Sequence, residues 1–322
     1  MAASVVGRVG SNMKRFKNIL YILGDDEKQD QLTAARVQAL AKRNAARVCL
    51  VRILEKNLVD QLSNMLSPSA KKLPALAREQ LDQELNRFAD DEKWEGVEVS
   101  TEVLEGKDFI AIIQKVLRDN HDLVIKNRRD EDGADQLAMR LFRKCPCPVW
   151  IIRNLKTGEF RHILAALDLA STQEENRQLN RKIIELADSM ARLEGAKVHY
   201  VHALHLEFEG MMRGPRFRMG DEEIAELKRE LYQTSEKNLA QLFKESGVES
   251  PQENIHLVEG ETSEVIMKAI DDCEIDVLVM GTVARSGVPG LLIGNKAEKV
   301  LSSIDCTVLA VKPSGYVSPV GN

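Results

Sequence analysis

Residues 162–167 read HILAAL and residues 18–23 read NILYIL. Each is a short apolar run of the kind a strand covered on both faces carries, and each opens the same longer pattern. After the first, apolar strand-like runs return at 48–53, 97–104, 123–125 and 149–152, with helical periodicity at 32–43, 73–88, 109–118 and 137–143. After the second, strands are expected at 198–202, 255–258, 277–281 and 308–311, and helices at 174–193, 221–244, 262–272 and 295–304. Apolar strands alternating with amphipathic helices call for a parallel sheet with helices on both sides, so the chain reads as two α/β layers. The two halves also match at their ends: HDLVIKN (121–127) faces IDVLVMG (275–281), and CPVWIIR (147–153) faces CTVLAVK (306–312). The join falls near residues 154–159, around Gly158, which sets domains of 1–156 and 157–322. Residues 1–15 and the tail from Gly315 carry no periodicity and are expected to be loose.

A chain of 322 residues suits two domains. It is 43% hydrophobic and 30% charged, with a net charge of −5. No apolar run approaches the roughly 20 residues of a membrane helix, and the first residues lack the apolar core of a secretory signal. Five cysteines, odd in number and scattered, suit reduced thiols and a cytoplasmic location. The acidic balance and scarcity of aromatic residues disfavour non-specific DNA binding, and no specific nucleic-acid partner is expected. No membrane partner is expected either.

A phosphate site in such a fold needs a glycine-lined turn after a strand, leading into a helix N-terminus. The second half supplies one. The strand ending at Met280 runs into Gly281-Thr282-Val283-Ala284, and the turn closes at Gly294-Asn295-Lys296. Gly281 and Gly294 would let backbone approach an oxygen closely, and Asn295 is expected to cap the helix. Asp168, directly after the first strand of this half, offers an acceptor for a ribose hydroxyl or an exocyclic amine. A plain connection is the competing account, yet loops of about 12–15 residues are uncommon unless functional.

These residues resemble the universal stress protein family, in its tandem form. The family pattern is Gly-x2-Gly-x9-Gly-[Ser/Thr] after the fourth strand together with an Asp after the first. The resemblance spans nearly the whole chain and implies two Rossmann-like domains, each a five-stranded parallel sheet flanked by helices. It also implies that the last strands of the two halves pack as an intramolecular pseudo-dimer, and it leaves room for a homodimer. For the second half it implies an adenine nucleotide such as ATP, with Mg carried by the phosphates. Asp168 matches the family's acid, Gly281 its first glycine and Gly294 its third. Ala284 stands at the second glycine, Asn295 at the hydroxyl residue, and Ala203 where a Val packs against adenine. The loop is therefore G-x2-A-x9-G-N. Losing the Val side chain removes on the order of 1–2 kcal/mol of base packing.

The first half departs further. Gly24 stands where Asp168 does, and the glycine turn is replaced by residues 127–135, whose only glycine is Gly133. The acids Asp130, Glu131, Asp132 and Asp135 would repel a polyphosphate, so this domain is expected to be degenerate and structural.

Three further features carry chemistry. Cys145-Pro-Cys147 lacks zinc or redox spacing and reads as small-residue packing. His199, His202 and His205 are expected on one face of the second strand and its exit, where a hydrogen-bonded core histidine is favoured over a metal site. The segment 204–220 combines Phe208, Met211, Met212, Phe217 and Met219 with Arg213, Arg216 and Arg218, as a lid over an amphipathic ligand would. Packing on the other domain, or plain disorder, is an alternative of at least equal weight. With the second glycine and the Val replaced by Ala284 and Ala203, a bulkier acyl or nucleotide-sugar compound is the rival small-molecule ligand for the second-domain cavity. No His-x-Gly-His, Ser-Gly-Gly-x-Asp or Walker lysine pattern is present, so a non-catalytic binder is expected rather than a nucleotide hydrolase.

Overall fold

The structure, a computed structural model, describes residues 16–55, 72–128, 135–153, 159–171, 173–282 and 294–321. The first half runs β1 (Asn18–Ile22), α1 (Glu27–Asn44), β2 (Arg47–Glu55), α2 (Leu73–Ala89), β3 (Val99–Gly106), α3 (Asp108–Asp119), β4 (Leu123–Asn127), α4 (Gln136–Lys144) and β5 (Val149–Ile152). The second half repeats it as β6 (His162–Ala166), α5 (Glu174–Glu194), β7 (Lys197–Leu204), α6 (Glu209–Arg213), α7 (Asp221–Ser246), β8 (Ile255–Glu259), α8 (Thr262–Asp272), β9 (Val277–Gly281), α9 (Asn295–Ser303) and β10 (Thr307–Val311). The short α6 has no counterpart in the sequence expectation.

The ten strands of the described residues form one sheet, in the order β3-β2-β1-β4-β5-β10-β9-β6-β7-β8. Pairing is parallel within each half and antiparallel at the junction, where Val308 faces Ile151 and Leu309 faces Trp150. The halves are thus related as the two partners of a dimer joined through their last strands. Side chains at successive positions go to opposite faces, and both faces are covered. Ile19, Tyr21, Trp150, Ile163 and Leu309 lie in one apolar layer, while Leu20, Ile22, Ile151, Leu164 and Val308 lie in the other. That is why these strands are apolar at nearly every position.

Hydrogen bonds tie the seam together. Arg153 donates its backbone N–H to the Thr307 hydroxyl at 2.9 Å, and that hydroxyl donates to the Arg153 carbonyl at 3.1 Å. The tail is docked, contrary to the expectation from its lack of periodicity. Tyr316 and Ser318 donate their hydroxyls to the carbonyls of Arg143 (2.7 Å) and Lys144 (2.8 Å). The buried Lys312 ammonium donates to the Phe142 carbonyl at 2.5 Å. These are the last carbonyls of α4, left without partners inside the helix, so the tail serves as its C-terminal cap. Periodicity cannot report such a segment, because it is held by polar contacts rather than by an apolar stripe.

Candidate functional site

In each half the strand order reverses between the first and fourth strands, which opens a crevice at their carboxyl ends. In the second half these are β6 and β9, paired with Ala166 opposite Met280. Asp168 lies two residues beyond β6, half-buried. Its backbone is fixed by α5: Asn180 accepts its N–H at 3.0 Å, and Asn180 and Asn176 both donate to its carbonyl at 2.7 Å. The Asp168 carboxylate accepts the N–H of Ala170 at 3.3 Å. Asn176 and Asn180 were not singled out in the sequence. Their signal was an i, i+4 pair of amides on the inward face of α5.

Beyond β9, Gly281 lies close to α5: a Cβ there would lie 2.9 Å from Cδ2 of Leu179, whose side-chain tip would have to shift. Thr282 is fully buried, donates its N–H to the Val311 carbonyl at 3.2 Å, and accepts from the N–H of Gly294 at 3.1 Å. The turn therefore begins and ends at one point beside β10. The Thr282 hydroxyl is buried without a hydrogen-bond partner among the described residues. Val283 and Ala284, with the rest of 283–293, lie outside the described residues.

The expectation that Asn295 caps α9 is corrected. Gly294 is the N-cap, with its carbonyl accepting from Glu298 N–H at 2.8 Å, and Asn295 is the first helical residue. Among the described residues no side chain caps the helix, so its first N–H groups have no side-chain partner there. Lys296 is exposed and reaches sideways to the Thr262 hydroxyl at 3.3 Å, at the start of α8. Met280 is buried in the sheet, and Ala203 is half-buried on β7 opposite Val258. The structure thus gathers Asp168, Gly281, Thr282 and Gly294 at the ends of neighbouring strands, with Met280 beneath them and Lys296 directed away.

The first-half crevice is filled by its own side chains. The Asp30 carboxylate, on α1 and almost fully buried, accepts from Gly24 N–H (2.9 Å), the Tyr21 hydroxyl (2.9 Å) and Asn127 Nδ2 (2.7 Å). The Thr33 hydroxyl donates to Asn127 Oδ1. Burial pushes the Asp30 carboxyl up and, with the Asp30 charge beside it, raises the Tyr21 hydroxyl well above its usual value. Asp30 holds the N–H after β1 as Asn180 holds that after β6, and Asn127 stands where Gly281 does. Asp135 is not a loose acid: it caps α4 through Ala138 N–H at 2.9 Å and forms a buried ion pair with Lys126. Asp130, Glu131 and Asp132 lie outside the described residues.

The expected single face for His199, His202 and His205 is also corrected. A spacing of three inverts the side of a strand, whose period is two. His199 joins His162 and His256 on the face covered by α8, while His202 turns to the other face and its Nδ1 accepts the Leu169 N–H at 3.3 Å. His205 is exposed beyond the strand. Burial first, then the neighbouring His256 and His162, pushes His199 down to about 4. Cys145 and Cys147 are buried free thiols with their sulfurs 3.6 Å apart, and their mutual contact and burial raise the Cys147 thiol well up. In the segment 204–220, Arg213 pairs with Glu209 and Asp221, while Phe208 (66% exposed), Met211 and Phe217 face solvent.

Comparison with known proteins agrees with this architecture. The profile of the universal stress protein family matches twice, over residues 15–153 and 159–312. Universal stress protein E of Escherichia coli K12 is 28% identical over 333 residues, spanning 96% of this chain and 98% of its own. A universal stress protein E homolog of Haemophilus influenzae is also 28% identical, over 93% of this chain and 98% of its own. Among solved structures, a functionally unknown protein of Pseudomonas aeruginosa superposes with a TM-score of 0.67 at 26% identity, covering 94% of this chain and 95% of the other. A universal stress protein of Archaeoglobus fulgidus shares the fold at 14% identity, with a TM-score of 0.61 over 94% of this chain and 99% of the other. None of the described helices is long and apolar enough to cross a membrane. The chain belongs to the universal stress protein family, as a tandem of two such domains.

Proposed function

We propose that this is a non-catalytic, cytoplasmic stress-resistance protein whose second domain, residues 157–322, binds an adenine nucleotide, while the first, residues 1–156, has lost its site and acts structurally. One contrast carries the reading. Two crevices of the same fold differ in that Asp30, Tyr21 and Asn127 plug the first, whereas Asp168 and Gly281 border the second. The Asp168 carboxylate accepts from a ribose hydroxyl or the exocyclic amine of the base, with Ala203 at its edge. Phosphates lie over Thr282 and Gly294, where the buried hydroxyl and the N–H groups of α9 donate. Magnesium is held mainly by those phosphates.

Calorimetry with ATP and Mg on the full chain tests this. One saturable site is expected, weakened about tenfold or more by Asp168→Ala, a loss of about 1.4 kcal/mol or greater. Absence of heat at millimolar nucleotide ends the reading. Phosphate release by wild type that disappears in the same variant turns the assignment to a hydrolase.

A second reading has one observation in its favour. It places the amphipathic ligand not in the second-domain cleft where it was expected but at the seam, where a cavity of about 230 Å³ lies between Leu40, Leu123, Trp150, Met190 and Val248, with Arg43 and Arg192 also lining it. Trp150 Nε1 and Ser246 Oγ are buried there without partners among the described residues. Such a lining suits a small amphipathic molecule, and its co-purification without adenylate, seen by native mass spectrometry, would favour this reading.

A further inference from the structure

Three histidines climb diagonally across neighbouring strands. Lys197 lies opposite His162 and His256 opposite Val201, so His199 is two residues offset from each of the other two histidines. Their rings meet at 3.2 Å from His162 Nδ1 to His199 Nε2, and at 3.2 Å from His199 Nδ1 to His256 Nε2. The row ends at Cys273, just past α8, with its Sγ 3.9 Å from His256 Nε2. His199, His256 and Cys273 can each turn one ligand atom into a group spanning no more than 4.8 Å.

We infer that His199 Nδ1, His256 Nε2 and Cys273 Sγ form a site for a zinc-type transition-metal ion, with His162 orienting His199 from behind. Zinc bonds of about 2.0–2.1 Å to nitrogen and about 2.3 Å to sulfur give tetrahedral edges of about 3.3 Å for N to N and about 3.6 Å for S to N. The observed separations of 3.2 and 3.9 Å lie within a few tenths of an ångström of two of these edges; the third, from His199 to Cys273, falls within 4.8 Å and has to close by up to about 1 Å to hold the ion. Two imidazoles and a thiol without a carboxylate suit zinc and its late first-row neighbours rather than Mg or Ca. With Nδ1 on the metal, His199 Nε2 carries a proton and donates it to His162 Nδ1, the supporting bond that ligating histidines characteristically make. Three protein ligands leave the fourth position to water.

The first half shows a cation in the equivalent place. Strand register sets Cys49 against His199 and Glu102 against His256. The shared Asp122 and Asp276 set Asp119 against Cys273 and Lys115 against Ala269. There the buried Lys115 ammonium pairs with Glu102 and, at 2.6 Å, with Asp119. In the second half the lysine is replaced by alanine and its two carboxylates by an imidazole and a thiol. The covalently attached cation has given way to donors for a free one.

This site lies toward the amino ends of the strands, four residues or about 13 Å along β7 from Ala203 at the nucleotide crevice. It stands or falls independently of nucleotide binding. The test is titration of the metal-free full chain with Co²⁺, followed by displacement with Zn²⁺. Expected are one equivalent bound at micromolar ion, a tetrahedral visible spectrum and a near-ultraviolet thiolate-to-cobalt band. Cys273→Ser removes that band, and His162→Phe keeps the stoichiometry but weakens binding about 10- to 100-fold. Cys273 is the one cysteine that is not buried, so on the unaltered protein Zn²⁺ should also slow its alkylation. No uptake by wild type, a cobalt spectrum indifferent to Cys273→Ser, or alkylation unaffected by Zn²⁺ would overturn the assignment.

Discussion

Replacing Asp30 separates what fills the first-half crevice from what ionises there. Asp30→Ala removes the acceptor for Gly24 N–H and Asn127 Nδ2, while the Tyr21 hydroxyl keeps the Asp30 backbone carbonyl at 3.2 Å. Asn127 Nδ2 keeps the Tyr21 hydroxyl at 3.5 Å, so Gly24 N–H is the donor left stranded, which predicts a loss of about 1–3 kcal/mol. Asp30→Asn leaves one oxygen for Gly24 N–H, as Asn180 does for Asp168, and removes a buried charge, so it should fall within about 1 kcal/mol of wild type at pH 7. The variants also differ from wild type in pH dependence. Burial raises the Asp30 carboxyl above its unfolded value of about 3.9, so between the two values the folded state binds more protons. Stability from this group is therefore full below about pH 3.9 and declines as pH rises through the folded pKa. Urea unfolding followed by Trp94 and Trp150, the only tryptophans and both in the first half, reads this directly. The expected result is a wild-type decline across that window that is smaller in both variants. Equal stabilities for Asn and Ala at pH 7, or three identical pH slopes, would refute the reasoning.

Two other outcomes follow from local geometry. Ala45 ends α1 in the left-handed region, at φ 48°, where Gly195 ends α5; Ala45→Gly should raise stability by about 0.5–1 kcal/mol in urea titrations, because strain of about 1–2 kcal/mol outweighs the added chain entropy. Burial pushes Lys312 down to about 8 against about 10.4 unfolded, so the unfolded state binds more protons between these values and stability from this group rises with pH there; Lys312→Met should flatten that rise in thermal melts between pH 8 and 10.

Much of the fold was legible because a buried parallel strand must be apolar on both sides, and the amphipathic helices between such strands must carry a 3.6-residue period. That is why NILYIL and HILAAL located the repeat, and why Val277–Gly281 and Thr262–Asp272 fall where expected. The site was legible only in part. Asp168 and Gly281 follow strands and can be placed by counting. Asn180, which holds Asp168, and Leu179, which fills the space beside Gly281, come from a helix whose rotation local periodicity sets only coarsely.

The amino-acid sequence by itself determined the repeat, the strand and helix order and the family, since each depends on neighbours along the chain. Tertiary structure alone decided that Asp30 closes one crevice, that the tail caps α4, and that His162, His199, His256 and Cys273 meet. Those contacts join residues up to about 170 positions apart in the chain, and their geometry follows from strand register and helix orientation, which no local window contains.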